Sequence, residues 1–335
     1  MSTNAAGGAR SVREDLAVGA VLGALVGDAA GAVLEFTRGP ILAEDVEHAM
    51  SMPGGGVWEV APGQVTDDGE LTMSLLRALT DEGGSPTERA ALRYAWWVES
   101  DPFDIGATTA ASLGCLRDPE LAARAAEEGV AAVMTATASR RCRESKANGS
   151  LMRATPLGVW GAGRDRDVTA SAAASDARLS HPNEACVGAT TAYVVAIRHL
   201  VRAPSDVEGA LAEAAEVVRD NEEVLLWLEE ARRGVVVPFT PLDGFVRIGF
   251  THAFRHLVLG SSWEDAIRET LAGGGDTDTN ACIVGGLLGA RWGASAIPPA
   301  MREAVLACDY AAGGQPRPEE LHPRAAPSLV QALLS

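Results

Sequence analysis

Small residues recur at helical spacing near the start of the chain, and they constrain the fold more than any other feature. Apolar and small side chains repeat there at intervals of three and four residues: Leu16, Ala20, Gly23, Ala24, Gly27, Gly31 and Leu34. This is the period of an α-helix. Because glycine and alanine let another backbone approach closely, we predict a helix pressed tightly by its neighbours. Asp28 and Glu35, seven residues apart, would share one face of it.

The rest of the chain also predicts helices. No sustained period-two alternation and no repeat of constant length occurs, and aromatic residues make up only 5% of the 335 residues. The predicted fold class is all-α, with a dozen or so helices in one domain over residues 13–311. Residues 1–12 are predicted to be a flexible tail and residues 312–335 a C-terminal surface segment. The stretch 37–64, rich in proline and glycine, is predicted to be a long surface loop.

Charge and cysteine content narrow the functional classes. The formal net charge is −17, so the chain lacks the electrostatic signature of proteins that bind nucleic acid or anionic membranes. Five scattered cysteines without paired spacing are typical of reduced thiols. The first residues lack the pattern of a signal peptide, and there is no apolar run of about 18 residues. We therefore expect a cytoplasmic, monomeric protein without a membrane partner, and we do not expect nucleic acid as its ligand.

Two acidic motifs, far apart in the sequence, supply oxygen ligands for a metal site. TDDGELTM places Asp67 and Asp68 in the first turn of a predicted helix, behind Thr66. GGGDTDT places Asp276 and Asp278 two residues apart, each followed by a threonine. Oxygen-only ligand sets suit magnesium, manganese or calcium, whereas zinc and copper favour histidine or thiolate. The candidate ligands are Glu35, Thr66, Asp67, Asp68, Asp276, Asp278 and Thr279.

For the first motif the sequence leaves a structural alternative open. Thr66 is a suitable N-cap, and the helix dipole would stabilise Asp67 and Asp68 in the first turn without any metal. If the two motifs meet in the fold, however, their carboxylates would repel one another strongly in the absence of a cation. The motif is therefore either a capped helix start or one half of a metal site.

Five segments, taken in order, resemble those of ADP-ribosylglycohydrolases. They are GALVGDAAGAVLEF, TDDGELTM, NGSLMRATPLG, a His-Pro pair and GGDTDTNACIVGGLLGARWG. The resemblance covers residues 16–293 and implies an all-helical fold whose cleft binds ADP-ribose and two divalent ions, Mg²⁺ or Mn²⁺. The metal ligands that it implies are Thr66, Asp67, Asp68, Asp276, Asp278 and Thr279.

The same resemblance implies roles for further residues. Glu35, Asp67 and Asp278 would be the catalytic carboxylates, and Glu35 would orient or deprotonate the attacking water or stabilise the oxocarbenium charge. The substrate-binding residues that it implies are Asn148, Gly149, Ser150, His181, Phe245 and Gly275. Many relatives have TDDT where this chain has Gly69 and then Glu70. Neither change removes a proposed ligand, but Glu70 adds a negative charge near the cleft.

The predicted function is hydrolysis at C1 of the distal ribose of ADP-ribose, which removes ADP-ribose from a modified protein (arginine or serine linkage) or from a small molecule. Two alternatives remain open. One is a non-catalytic ADP-ribose-binding or crystallin-like protein, whose expected signature is loss of the acidic ligands retained here. The other is a hydrolase of free ADP-ribose derivatives. The sequence leaves open which linkage is cleaved and whether magnesium or manganese is used.

Overall fold

Helices account for most of the chain in the computed structural model, which describes residues 4–335, with side chains from residue 12 onward. This range contains no named β-strand, so the all-α prediction is confirmed there. The helices are α1 (Asn4–Gly31), α2 (Ala43–Met50), α3 (Asp67–Thr80), α4 (Pro86–Glu99), α5 (Ala107–Leu113), α6 (Pro119–Glu128), α7 (Val130–Arg141), α8 (Thr155–Gly161), α9 (Arg166–Arg178), α10 (Glu184–Arg202), α11 (Val207–Val217), α12 (Glu222–Arg232), α13 (Val246–Leu259), α14 (Trp263–Gly273), α15 (Thr277–Trp292), α16 (Pro299–Leu306) and α17 (Ala326–Leu334). Short 3-10 helices lie at Gly114–Arg117, Ala294–Ala296, Glu319–Leu321 and Pro323–Ala325.

The small-residue stripe of α1 packs against α15, backbone on backbone. At four successive turns of α1, an added Cβ would collide with backbone atoms at the α15 end of the chain. These positions are Gly19, Gly23, Gly27 and Gly31, which face Gly289, Gly285, Ala281 and Asp278 respectively. The predicted close packing of the first helix is therefore confirmed, because only glycine allows this approach.

Gly27→Ala is expected to destabilise the protein by about 1–3 kcal/mol, although alanine is the better helix former. The added methyl group would lie 2.6 Å from the carbonyl carbon of Ala281, and backbone atoms cannot rotate away as a side chain can. Urea denaturation would measure the change. Gly163→Ala is the matched control, because a Cβ there meets nothing within 4 Å. Equal midpoints for both variants would contradict the tight α1–α15 contact.

Three segments differ from, or add to, the sequence expectation. The stretch 37–64 is not loop throughout, since it contains α2, whose eight residues are too few to give a clear period between proline and glycine. Of the predicted tail, residues 1–3 lie outside the described residues, and α1 begins at Asn4. The segment 312–335 includes α17, whose Ala326 and Val330 are buried and which contacts α1 and α3. The division 1–12, 13–311 and 312–335 stays a prediction.

Three helix ends meet at one place and define the site. The C-terminal end of α1 lies beside the N-terminal ends of α3 and α15, where Asp67 and Asp278 occupy the first turns. Helix N-termini carry unpaired amides and a partial positive charge, so they favour carboxylates. None of the described helices has the length and apolar character needed to cross a bilayer.

Candidate active site

The two acidic motifs converge where α1, α3 and α15 meet. Thr66 Oγ1 lies 3.4 Å from Asp278 Oδ2, and Thr279 Oγ1 lies 3.3 Å from Asp68 Oδ2. Each contact joins one motif to the other across more than 200 positions of sequence. The two motifs therefore meet in the fold, which is the condition that the sequence left open.

Asp278 is shared by two groups of carboxylates. In one group, oxygen atoms of Asp28, Asp68 and Asp278 lie within 4.8 Å of one another. In the other, oxygen atoms of Glu35, Asp104 and Asp278 do the same. Two adjacent sets of oxygen ligands with a common member are suited to bind two neighbouring divalent ions.

Asp28, which was not among the predicted site residues, caps α3 from α1. Its carboxylate is fully buried and accepts hydrogen bonds from the Thr66 amide (3.0 Å), the Thr66 hydroxyl (2.8 Å) and the Gly69 amide (2.8 Å). Thr66 occupies the N-cap position, but its side chain caps no amide of α3. The helix start is therefore capped by Asp28 and not by the Thr66 side chain that the capped-helix interpretation of TDDGELTM predicted.

Glu35 lies in the turn after α1, because the helix ends at Gly31. The prediction that Glu35 and Asp28 share a helix face is therefore wrong. Glu35 is buried, and its Oε2 accepts a hydrogen bond from Trp58 Nε1 at 2.6 Å. Burial, reinforced by the nearby charge of Asp104, raises the pKa of Glu35 to about 8. A carboxyl group in this environment can hold a proton near neutral pH.

Burial and mutual repulsion also raise the pKa values of Asp28, Asp67, Asp68, Asp104 and Asp278. The pKa of Asp28 rises to about 7 and that of Asp104 to about 6, in both cases mainly by burial. No arginine or lysine of the described chain forms an ion pair with any of these groups. Asp68 Oδ1 and Asp278 Oδ1 are buried without a hydrogen-bond partner. Oxygen atoms that are buried, acidic and unpartnered fit a hard divalent cation.

The metal-free protein is expected to lose stability as pH rises. The pKa values of Glu35, Asp28 and Asp104 in the folded protein lie above their ordinary values, so the folded state holds protons more tightly than the unfolded chain. This contribution is complete below the unfolded pKa values and is lost as pH rises through roughly 6 to 8. In EDTA, Tm should therefore fall between about pH 5 and 9, and Mg²⁺ or Mn²⁺ should restore it. An unchanged Tm in EDTA would contradict this coupling.

A loop from the middle of the chain forms the wall opposite α3. Asn148 Nδ2 donates to Asp276 Oδ2 at 2.7 Å, and the backbone N–H of Asn148 donates to the Gly244 carbonyl at 3.0 Å. Arg153, fully buried and ion-paired with Asp176, donates to the Gly149 carbonyl at 2.8 Å. The Asn148–Ser150 turn does not lead directly into a helix, since α8 begins only at Thr155.

His181 lines the same cleft as a neutral imidazole. Burial lowers its pKa to about 3, and Nδ1 lies 2.8 Å from Ser180 Oγ. The ring is so close to Gly149 that a Cβ there would lie 2.8 Å from Cε1. At neutral pH His181 can therefore make hydrogen bonds but cannot serve as a cationic acid.

We use the name acidic cleft for the cavity of about 300 Å³ that these residues surround. Its acidic lining residues are Glu35, Asp67, Asp104, Asp243, Asp276 and Asp278. The lining includes no lysine or arginine among the residues described. A cleft lined by carboxylates and by no basic side chain attracts cations.

Sequence comparisons agree with this geometry. The sequence profile of the ADP-ribosylglycohydrolase family matches residues 9–327. The chain belongs to the ADP-ribosylglycohydrolase family. It is an enzyme of the ADP-ribosyl glycohydrolase class, which confirms the family and the enzyme class that the five motifs predicted.

Relatives and a solved structure extend the likeness over most of the chain. The chain is 27% identical to the ADP-ribosyl-[dinitrogen reductase] glycohydrolase of Rhodospirillum rubrum, over 85% of this chain and 88% of that protein. It is also 27% identical to the ADP-ribosylarginine hydrolase Tri1 of Pseudomonas putida, over 87% of this chain and 74% of that protein. A solved ADP-ribosylglycohydrolase-related protein complex contains a chain of similar fold, with a TM-score of 0.70, 25% identity and coverage of 96% and 98%.

Not every residue assigned by the family resemblance reaches the cleft wall. Ser150 is buried, with its hydroxyl 3.1 Å from Thr190 Oγ1. The ring of Phe245 packs edge-on against Trp227, with centroids 5.8 Å apart. Gly275 adopts φ +72°, and its carbonyl accepts from the Phe36 amide at 3.3 Å. These three residues are not among those that line the cleft, whereas Asn148, Gly149 and His181 are.

Several lining residues were missed by the sequence interpretation, among them Asp104, Asp243 and Phe36. Asp104 follows Asp101, Pro102 and Phe103, a context that gave no signal beyond that of a helix start. Phe36 lies directly after Glu35 with φ +53°, and 53% of its surface is exposed at the cleft mouth. An exposed aromatic ring in a left-handed conformation is rare, but the conformation cannot be read from the sequence.

Glu70 does not add a free charge to the cleft. It is buried, and its carboxylate receives two hydrogen bonds from Arg317, at 2.7 and 2.9 Å, and one from Trp97 Nε1 at 2.6 Å. The same guanidinium donates to the carbonyls of Ser100 and Asp101. In this member of the ADP-ribosylglycohydrolase family, the charge of Glu70 is compensated by an ion pair that ties the C-terminal segment to α3.

Proposed function

We propose that this enzyme hydrolyses the bond between C1 of ADP-ribose and an arginine side chain, in a reaction that depends on two divalent ions, Mg²⁺ or Mn²⁺. The observation that carries the proposal is that two clusters of three carboxylates share Asp278 at the floor of the acidic cleft. The names of two relatives, an ADP-ribosylarginine hydrolase and an ADP-ribosyl-[dinitrogen reductase] glycohydrolase, support the substrate class.

The electrostatics of the cleft favour arginine as the leaving group over serine. The guanidinium of arginine carries a positive charge, and the cleft offers Asp104 and Asp243 but no cationic lining residue of the described chain. Opposite charges placed in a partly buried site attract more strongly than in water. A serine hydroxyl is neutral and would gain nothing from this arrangement.

The proposed metal ligands are the converging oxygens of the two motifs. They are Thr66, Asp67, Asp68, Asp276, Asp278 and Thr279. When bound, the ions would orient the hydroxyl groups of the distal ribose and stabilise negative charge on oxygen. Asn148 fixes Asp276, and Asp28 holds Thr66 and the first turn of α3, so the ligand set is preorganised by hydrogen bonds.

In the proposed reaction, Glu35 handles the proton. The positive charge of the bound ions would keep Glu35 ionised near neutral pH, unlike in the metal-free protein. Its carboxylate accepts a proton from water as the water oxygen forms its bond to C1, while the bond between C1 and the guanidinium nitrogen breaks. Glu35 then gives this proton to the departing nitrogen, which regenerates the carboxylate, so the products are ADP-ribose and unmodified arginine. Trp58 holds Glu35 in place through its indole N–H, and His181 stays neutral and contributes only hydrogen bonds.

A panel of linkages would test the proposal. The protein is incubated with peptides that carry ADP-ribose on arginine or on serine, and with O-acetyl-ADP-ribose, with Mg²⁺, with Mn²⁺ or with EDTA. We expect chromatography to show ADP-ribose released from the arginine peptide with either ion and none with EDTA. Release from serine alone would overturn the linkage. Binding of ADP-ribose in calorimetry without turnover on any substrate would overturn the reaction.

A further inference from the structure

We propose that the protein has a separate zinc site, outside the acidic cleft, formed by His252 and His256 of α13 and Glu269 of α14. The two histidines are four residues apart, so they lie on one face of α13. One ligand atom from each of the three side chains lies within 4.8 Å of the others. None of the three lines the acidic cleft.

Each histidine has one nitrogen engaged and one free. His252 Nε2 lies 2.8 Å from the Val237 carbonyl and donates to it, so Nδ1 carries a free lone pair. His256 Nδ1 lies 3.0 Å from Ser261 Oγ, which leaves Nε2. Both rings are buried, 0% and 1% exposed, and both remaining nitrogens have no hydrogen-bond partner in the described part of the chain.

Unpartnered nitrogens of this kind point to a ligand. A buried polar atom without a partner costs about 1–3 kcal/mol, and two of them lie in one cluster. Histidines that bind metals usually donate their other ring nitrogen to a carbonyl or hydroxyl, which orients the ring. Val237 and Ser261 provide such partners for His252 and His256.

Glu269 completes the set and is its one solvent-exposed member. Its Oε1 is paired with Arg255 Nη1 at 2.6 Å, while Oε2 lies 3.9 Å from His256 Nε2. That distance is too long for a hydrogen bond. It is close to the roughly 3.4 Å that separates two ligands on one tetrahedral zinc ion. The Glu269 side chain is 44% exposed, so one ligand of the set borders solvent beside the two buried histidines.

The ligand chemistry selects zinc over the ions of the cleft. Two imidazole nitrogens and one carboxylate suit Zn²⁺, whereas Mg²⁺ favours oxygen alone. Burial lowers the pKa of His256 to about 4 and also lowers that of His252, so both rings are neutral and ready to bind near pH 7.

The position of the site gives it a structural role. The ring of His252 stacks on Phe239 with centroids 4.0 Å apart, and Phe239 in turn lies against Gly273. Gly273 ends α14 and precedes Asp276. An ion held by α13 and α14 would therefore brace the segment that carries one half of the acidic cleft.

The experiment measures Zn²⁺ affinity by competition with a chromogenic chelator, in excess Mg²⁺ so that the acidic cleft is saturated. It compares the wild type, Glu269→Gln, His256→Gln and the control Glu264→Gln. Glu264 is a matched control because it lies on the same helix with 43% side-chain exposure, against 44% for Glu269. We expect one tight zinc in the wild type and in Glu264→Gln, and at least about a tenfold loss in Glu269→Gln.

Thermal denaturation and Co²⁺ substitution complete the test. Zinc should raise the Tm of the wild type and of Glu264→Gln more than that of Glu269→Gln. Co²⁺ should give visible absorption of a tetrahedral site, which His256→Gln removes. Equal zinc affinity in all four proteins, or no zinc bound in excess Mg²⁺, would overturn the proposal. If His256→Gln does not fold, the comparison of Glu269→Gln with Glu264→Gln decides.

Discussion

Glu35→Gln is expected to lower kcat for ADP-ribose release by about 10²–10⁴-fold, because it removes the only group in the proposed reaction that exchanges a proton with water. The amide keeps the size of the side chain and can still accept a hydrogen bond from Trp58. Steady-state kinetics on the ADP-ribosylated arginine peptide would measure the loss. This prediction rests on the proposed function.

The stability of the same variant separates a catalytic role from a structural one. Glu35 is buried among like charges, with its pKa raised to about 8. Its neutralisation should therefore leave the Tm of the metal-free protein at pH 8 unchanged or higher. Glu59→Gln is the control, since Glu59 is exposed beside Trp58 and does not line the cleft. A large fall in Tm, or normal turnover by Glu35→Gln, would contradict the assignment.

Arg317→Met is expected to destabilise the fold by about 3–5 kcal/mol, because it leaves the Glu70 carboxylate buried without its counterion. Glu70 and Arg317 are 1% and 4% exposed at their side chains, so water cannot replace the lost contacts. Arg317 also holds the carbonyl groups of Ser100 and Asp101. Urea denaturation would measure the difference, which is a large fraction of the stability of an ordinary domain.

A surface ion pair of similar geometry provides the control. Arg93 makes two hydrogen bonds of 2.9 Å to Asp81, with side chains 33% and 37% exposed. Arg93→Met should cost no more than about 1 kcal/mol, because exposed pairs are screened by solvent. The double variant Glu70→Gln, Arg317→Met should recover part of the loss. If Arg317→Met and Arg93→Met lower the free energy of unfolding equally, burial of the Glu70–Arg317 pair does not determine its contribution to stability.

Local patterns in the sequence predicted the parts of the fold that depend on neighbouring residues. The helical class follows from spacing at three and four residues, which is set by the geometry of the backbone itself. The same holds for the close packing of α1, since four glycines on one stripe leave no side chains to keep a neighbour away. Helix α2 was missed because eight residues between proline and glycine are too few to establish a period.

Contacts between distant residues escaped the sequence interpretation. Asp104 belongs to neither acidic motif, so only the fold shows that it joins Glu35 and Asp278. Glu70 and Arg317 are separated by 247 positions, and nothing local indicates that they pair. His252, His256 and Glu269 passed unnoticed for the same reason, since Glu269 lies on the next helix and the free nitrogens are visible only in three dimensions.

The sequence alone determined the type of chemistry, because side-chain identity decides which atoms are available. Carboxylates and hydroxyls at residues 66–68 and 276–279 are hard oxygen donors in any fold. The tertiary structure alone decided what those atoms do. By pressing α1 against α15 without side chains between them, it buries the carboxylates together at three helix ends and makes Asp278 common to both groups. This burial raises the pKa values of Asp67, Asp68 and Asp278. Burial and proximity are properties of the folded chain, so GGGDTDT acquires its role only where TDDGELTM meets it.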